Sequence, residues 1–264
     1  PYSLAKLDLP TPTWMRAPGA VSGAFALECA LDELAYELKI DPLELRIINY
    51  AEKDPETGKP FSSKALRECF KQGAAKFGWA RRRFEPRSMR DGRWLIGMGV
   101  AAGFRNNLVM KSAARVRLDS RGIVTVETDM TDIGTGSYTI IGQTAAEMMG
   151  VPLDRVVVRL GDSDFPVSAG SGGQWGANSS TAGVYAACMK LREAIAQKVG
   201  FSAEDATFAD GRITAGGRSV PLVQAAEAGE IVAEDIMEYG DLAKKFQQST
   251  FAAHFAEVGV DIAT

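Results

Sequence analysis

The chain has few of the residues that build metal and redox centres. Its 264 residues include three cysteines, Cys29, Cys69 and Cys188, and a single histidine, His254. The cysteines are odd in number, far apart and in no CxxC arrangement. That argues against a disulfide framework, a zinc site or an iron–sulfur cluster within this chain. His254 lies between Phe251 and Phe255, with no partners for a metal site or a Ser-His-Asp triad, so it is expected to be structural. No apolar run reaches the roughly 18 residues of a membrane span. Neither sign of charge dominates: 30 Lys+Arg against 33 Asp+Glu leave a net charge of −3, which favours neither nucleic acid nor an anionic membrane. No secretory leader is recognisable. The chain opens at Pro1 rather than Met, so it is expected to be processed or cut from something longer.

What the chain does have is glycine in two concentrated turns, Thr131-Asp132-Ile133-Gly134-Thr135-Gly136-Ser137 and Gly170 through Thr181. Each precedes a helical pattern. Glycine lets backbone approach a ligand closely, and a helix N-terminus offers free N–H groups that suit an anion. Two such turns suggest one large phosphate-bearing cofactor held from two sides. The first lacks the third glycine of a dinucleotide fingerprint, and no GK[ST] follows it, so nucleotide hydrolysis is disfavoured. The second surrounds Gln174 and Asn178 with small residues. Amide and hydroxyl groups of this kind bind ring edges and phosphates without net charge.

Along the chain, residues 1–13 read as extended. A helix is expected over Ala20–Leu38, its apolar stripe formed by Val21, Ala24, Phe25, Leu27, Leu31, Leu34, Ala35 and Leu38. Asp41 reads as the N-cap and Pro42 as the first residue of a second helix running to about Tyr50. The polar stretch Glu52–Pro60 is the expected domain boundary, and a third helix, Ser63 to Phe77, has Ser63 as possible cap. Residues 81–93 are basic and read as a solvated connection. Strands follow at Trp94–Ala102, expected buried, and at Ser112–Leu118, where Ala114, Val116 and Leu118 alternate with Arg115 and Arg117. The turn at Asp119–Gly122 returns the chain as Ile123–Thr128. A helix to about Met149, a strand at Leu153–Leu160 and a helix from Thr181 to Val199 come next. A hairpin (Thr207–Ile213, Ser219–Leu222) turns at Gly216-Gly217, and a helix follows near Leu222–Ala228. The segment Phe251–Ile262 reads as an unpaired half-hairpin, as if the chain were cut inside a domain. Cys29 and Cys188 are expected to be buried thiols. Asp162 and Asp164 follow a strand end and read as a solvated acidic loop, with a cation site as the alternative; Asp132 and Glu147 are similar cases. Arg16 sits in an apolar turn, Trp14 to Gly19. It is either a surface or capping residue, or a stabiliser for a developing oxyanion or a carboxylate.

Four stretches, in order, resemble the molybdenum-binding large subunit of the xanthine dehydrogenase/aldehyde oxidoreductase family, particularly the bacterial periplasmic aldehyde oxidoreductase type. They are MRAPGAVSGAFALECALDELA (15–35), GMGVAAGFRNNLVMKSAARVRL (97–118), TDIGTGSYTIIGQTAAEMMGVP (131–152) and GDSDFPVSAGSGGQWGANSSTAGVYAAC (161–188). The resemblance implies a molybdopterin dinucleotide, in bacteria usually the cytosine form, with oxo, sulfido and hydroxide ligands on molybdenum. In such enzymes a water-derived hydroxide attacks an aldehyde or an N-heterocycle, and hydride passes to the sulfido group. Electrons then leave through 2Fe-2S clusters and FAD, here expected on an iron–sulfur subunit and a FAD subunit.

By the same resemblance Arg16 is the active-site arginine that orients substrate and stabilises its carbonyl oxygen. The pterin-contacting turn maps to Gly134, Thr135 and Gly136 and runs into Ser137. Many relatives carry Gln where Thr135 stands. The loop beside the metal maps to Gly176, Ala177, Asn178 and Ser179, followed by Ser180 and Thr181. Ala177 replaces a serine there, which leaves a backbone contact. Phe104 maps near an aromatic that flanks substrate. The family's catalytic glutamate, in a K-G-x-G-E-x motif, and its first pterin loop have no counterpart in this sequence. The expectation is therefore an α+β fold, a mixed β-sheet with packed helices that forms part of the two-domain molybdopterin-binding region. Residues 1–58 would end the first domain and 59–264 begin the second. Such a piece would work only with the rest of the large subunit and its partners. The compartment, cytoplasmic or periplasmic, stays open. A non-catalytic scaffold or partner-binding module that binds no cofactor, and a small-nucleotide binder, remain as alternatives.

Overall fold

A computed structural model describes residues 8–10, 15–172 and 175–264. Most of the extended segment expected at 1–13, together with Trp14, Gly173 and Gln174, lies outside the described residues. In chain order the helices are α1 (Ala20–Leu38), α2 (Pro42–Ile48), α3 (Leu66–Phe77), α4 (Ser137–Met149), α5 (Gly176–Lys198) and α6 (Leu242–Lys245). The strands are β1 (Arg90–Asp91), β2 (Trp94–Asn106), β3 (Ser112–Leu118), β4 (Val124–Thr128), β5 (Val156–Leu160), β6 (Thr207–Ala209), β7 (Arg212–Ala215), β8 (Arg218–Pro221), β9 (Ile231–Met237) and β10 (Ser249–Asp261). The chain divides into two compact units. One comprises residues Pro1–Glu52, Lys64–Phe104 and Thr250–Thr264, the other Lys53–Ser63 and Arg105–Ser249.

In the first unit, α2 begins as its sequence dictates. The Asp41 carboxylate accepts from the Leu43 amide at 2.8 Å, and Pro42 fills the first position. The buried Arg46 of α2 donates to Glu28 of α1 at 2.6 Å and pairs with Asp32 at 2.9 Å. The ion pair fixes the face of α1 that carries Glu28, Leu31, Asp32 and Ala35, and the expectation of a packed apolar stripe holds only there. Ala35 is the buried residue of that helix, whereas Val21, Phe25, Leu27, Leu34 and Leu38 are exposed. Cys29, on the same helix, is exposed rather than buried.

The core of this unit gathers Leu43, Phe70, Trp79, Met98 and Val100. The Phe255 ring sits 5.5 Å from Phe77 and 5.7 Å from Trp79. β10 therefore does not dangle: it is hydrogen-bonded to β2 in a three-stranded sheet of order β1-β2-β10. The expectation of an unpaired terminal strand is corrected by that long-range pairing. β2 is longer than expected and only partly buried, because one of its faces packs on the core. α3 starts at Leu66 with Ala65, not Ser63, at its cap. The preceding Ser62 amide is held by the Gln247 carbonyl, which keeps the chain extended.

The second unit is built on a four-stranded sheet of order β5-β4-β3-β9. β3 pairs antiparallel with β4 and β9, while β4 pairs parallel with β5, Val126 opposite Val158. Parallel neighbours need a crossover, and α4 supplies it. Ala114, Val116, Leu118, Val124 and Val126 on one face bury against Ile141 and Met149 of α4 and Val184, Leu191 and Ile195 of α5. Each such Val, Leu, Ile or Met side chain contributes about 1.5–3 kcal/mol. Gly183 lets α5 come close, since a Cβ there would stand 2.7 Å from the Ser112 carbonyl oxygen. On the opposite face the buried Glu127 carboxylate gathers Arg117 at 3.1 Å, Arg115 at 3.3 Å and Arg159 at 3.4 Å.

Other differences are local. The strand expected at Leu153 starts at Val156, after a 3-10 turn. The expected hairpin is a three-stranded meander, because Asp210 and Gly211 are both left-handed and break its first strand. The helix expected at Leu222–Ala228 is a 3-10 turn over Leu222–Ala226. β9 has no counterpart among the expected elements. The mixed sheet with packed helices is the α+β class expected.

Candidate functional site

The two glycine turns meet in the second unit. β4 ends at Thr128, and the chain runs on through Asp129 and Thr131 into the first turn. The loop that leads to the second turn lies beside it. The Asp129 amide donates to the Pro166 carbonyl at 3.1 Å, and the Ser168 amide donates to the Asp129 carboxylate at 2.7 Å. At the next step the Thr131 amide donates to Ser171 Oγ at 2.8 Å, and the Thr131 and Ser171 hydroxyls lie 3.0 Å apart. Ser171 Oγ in turn donates to the Thr131 carbonyl. One serine hydroxyl thus joins the turns across 40 residues of sequence.

Within the first turn, Gly134 and Gly136 adopt φ 88° and 79°, the left-handed region open to glycine. The Asp132 carboxylate accepts from the Gly134 amide at 2.7 Å and the Thr135 amide at 3.0 Å. Slight desolvation works against this carboxylate, but the amides outweigh it and hold its pKa below the usual range. Gly134, Thr135 and Gly136 are exposed, whereas Ser137 is buried and shares a 3.2 Å hydroxyl contact with Thr135.

α5 begins at Gly176, five residues before the start expected at Thr181, so the end of the second glycine stretch is its first turn. Gly176 is buried, and a Cβ there would crowd the Gly170 carbonyl oxygen at 3.2 Å. The N-cap residue of α5, Trp175, makes no side-chain capping bond. The helix's first-turn residues Ala177 and Asn178 are exposed. Ser179 and Ser180 turn inward. Ser179 Oγ accepts from the Met110 amide at 2.9 Å, and Ser180 Oγ is buried without a partner among the described residues. Thr181 Oγ1 bonds back to the Ala177 carbonyl at 2.9 Å, as helical threonines do.

Arg16 and Phe104 belong to the first unit. Arg16 is exposed on the turn before α1, next to Ala17 at φ 58°, a non-glycine conformation that costs about 1–2 kcal/mol. Phe104 is exposed near the end of β2, its ring 5.5 Å from Phe251. His254 stands on β10 and is exposed. Asp162 Oδ1 accepts from the Asp164 amide at 3.0 Å in an exposed turn, and no cluster able to hold a metal ion occurs among the described residues.

With the Gly134 and Thr135 amides taken by Asp132, the remaining donors at the two turns are neutral: the start of α5, hydroxyls and the Asn178 carboxamide. The Cβ position of Gly136 is open, with nothing within 4 Å. An exposed, cationless set of amides with an orphaned hydroxyl nearby fits a large polar ring system bearing phosphates. Sequence reading missed Thr131 and Ser171, because a hydroxyl pair 40 residues apart leaves no local pattern. Asp132 was legible in principle, because an Asp two residues before a glycine is the mark of an Asx turn.

Residues 72–264 match the molybdopterin cofactor-binding domain family, and residues 2–50 match a second family of the same description. The chain belongs to the molybdopterin cofactor-binding domain family. Among known proteins it is similar to the aldehyde oxidoreductase molybdenum-binding subunit PaoC of Escherichia coli (strain K12), 62% identical over 99% of this chain and 36% of that protein. The xanthine dehydrogenase molybdenum-binding subunit of Escherichia coli O157:H7 is 36% identical over 60% of this chain and 22% of that protein. The chain thus spans about a third of the length of PaoC, 36%. The fold is shared with CO dehydrogenase from Oligotropha carboxidovorans, TM-score 0.72 at 18% identity, covering 94% of this chain and 35% of that one. It is also shared with the aldehyde oxidoreductase from Desulfovibrio desulfuricans ATCC 27774, TM-score 0.63 at 24% identity, covering 94% and 27%.

Proposed function

We propose that this chain is part of the cofactor-holding region of a molybdenum hydroxylase large subunit, and that the complete enzyme oxidises aldehydes to carboxylic acids or hydroxylates N-heterocycles. The observation that carries the reading is the pair of glycine turns pinned together by Thr131 and Ser171, in a chain 62% identical to an aldehyde oxidoreductase molybdenum-binding subunit. The cofactor is molybdopterin in its cytosine dinucleotide form. When bound, it supplies the two-electron oxidation and a water-derived oxygen.

The chain's own residues do the holding and orienting. In the first turn Asp132 already takes the Gly134 and Thr135 amides and adds negative charge, so the exposed backbone of Gly134, Thr135 and Gly136 suits a neutral pterin edge. At α5 the N-cap residue Trp175 makes no side-chain capping bond, and the positive end of the helix, at Ala177 and Asn178, suits anionic oxygens. Gly176 and Ser179 hold that end in place, with Ser137, Ser180 and Thr181 supporting the two helix starts. Arg16 presents a permanently charged, forked donor to the carbonyl oxygen of the substrate as charge develops there, and Phe104 flanks the substrate. The general base lies in the remainder of the large subunit. Electrons pass to an iron–sulfur subunit and a FAD subunit.

The test is the complete subunit purified with its partners. We expect molybdenum near one per chain and aldehyde turnover with an artificial electron acceptor. Arg16→Ala should lower kcat/KM by roughly 10²–10³-fold, as loss of an oxyanion donor does. Absence of molybdenum would leave the scaffold reading in possession. Full activity in Arg16→Ala would remove that residue from the mechanism.

A further inference from the structure

The hydroxyl pair that joins the turns does more than close a loop. Ser171 Oγ accepts from the Thr131 amide at 2.8 Å, contacts the Thr131 hydroxyl at 3.0 Å and donates to the Thr131 carbonyl. One donor and two acceptor sites are all that a serine hydroxyl has, so Ser171 spends its whole capacity on one residue. Its neighbours magnify this contact. Thr131 is followed at once by Asp132, whose carboxylate shapes Gly134 and Thr135. Ser171 is followed by Gly172, whose carbonyl accepts from the Trp175 amide at 3.4 Å and the Gly176 amide at 3.3 Å and so launches α5. A shift at either hydroxyl is therefore passed to the backbone of both turns. The contact is not needed to fasten the loop, since Ala113 N–H to Val167 O at 2.9 Å and Ser168 N–H to Asp129 at 2.7 Å already do so.

We propose that Ser171 and Thr131 are positioning residues that set the spacing of the two glycine turns for a single cofactor. The proposal rests on the functional reading above. The experiment compares wild type, Ser171→Ala, Ser171→Thr and Thr131→Val in the complete subunit with its partners. It reads molybdenum per folded chain, melting temperature, and hydrogen exchange of residues 131–138 and 170–178 after the cofactor has been stripped. We expect Ser171→Ala to lose roughly 10-fold or more of its molybdenum, the scale on which outer-shell partners act. Its melting temperature should stay within a few degrees of wild type, and exchange should speed up in both turns. Ser171→Thr should recover molybdenum, and Thr131→Val should fall between.

Wild-type molybdenum content in Ser171→Ala would overturn the proposal. So would equal loss in Ser171→Ala and Ser171→Thr, or loss only in proportion to unfolding. A wild-type subunit without molybdenum would instead sink the functional reading. Hydrogen exchange would then still decide the clasp, because unchanged exchange in Ser171→Ala would show that it sets nothing.

Discussion

Replacing Gly150 with alanine should destabilise the second unit far more than the same change at Gly200. Gly150 ends α4 at φ 63°, and its amide and that of Val151 return to the last helical carbonyls. An added Cβ would stand 2.4 Å from the carbonyl carbon and oxygen of Phe208 and 2.5 Å from the Ala209 amide nitrogen. These are backbone atoms of the β6–β7 hairpin, which is itself fastened by a 2.7 Å hydrogen bond from the Gly211 amide to the Gly150 carbonyl. No rotamer change relieves the contact. The left-handed conformation costs about 1–2 kcal/mol for a side-chain-bearing residue, and overpacking adds about 1–3 kcal/mol. The total is about 2–5 kcal/mol. For a unit of roughly 150 residues each kcal/mol moves the melting temperature by about 2–4 °C, so a fall of roughly 4–20 °C is expected. Gly200 is the control: its φ is 73°, and a methyl added there meets nothing within 4 Å, so it should show the conformational cost alone. Thermal and urea unfolding followed by circular dichroism gives both values. If the two variants lost equal stability, the close approach of α4 to the hairpin would not be a real constraint.

Glu127→Gln should cost about 1–3 kcal/mol in urea unfolding, because a buried carboxylate that serves three guanidiniums is replaced by a neutral amide. Arg117 also pairs with Glu230 at 3.0 Å and Arg115 with Glu234 at 2.8 Å, and wild-type stability would mean that these two pairs suffice. In a native thiol titration Cys29 and Cys69 should react quickly. Cys188, buried and with its thiol pushed up to about 12 by desolvation, should react only after denaturation, and three fast thiols would contradict its placement. Acid should remove stability at a defined point. Asp54 is held low by the Thr57 hydroxyl. At Asp119 and Asp132 desolvation is outweighed by amides, those of Ile123 and Gly134 foremost. Depressed carboxylates add stability that is fully present above the unfolded value and lost as pH falls through the folded one. The melting temperature should therefore hold on the neutral side and drop below about pH 4, and Asp132→Asn should flatten part of that drop.

Local signals carried much of this fold. Asp41-Pro42 marks the start of α2, Asp119–Gly122 marks a hairpin, and alternation at Ala114, Val116 and Leu118 gives the buried face of β3. Each depends on neighbours within a few residues. The larger failures are non-local, while the smaller ones, such as the 3-10 turns before β5 and at Leu222–Ala226, are shifts of local boundaries. The pairing of β10 with β2 and β9 as the edge of the main sheet depend on partners more than a hundred residues away, and the packed face of α1 depends on Arg46, 18 residues from Glu28. At the site, both glycine turns were legible because glycine is a backbone signal. Their clasp was not, since Thr131 and Ser171 are ordinary residues until the fold brings them together.

The bare stripe on α1 has a practical consequence. Apolar surface attracts other apolar surface without regard to identity, and the exposed Val21, Phe25, Leu27, Leu34 and Leu38 of α1 present it beside the packed face. Produced as this segment alone, the polypeptide should stick to hydrophobic resins and self-associate as its concentration rises. Mild detergent should be a better storage medium for it than salt, which strengthens such contacts.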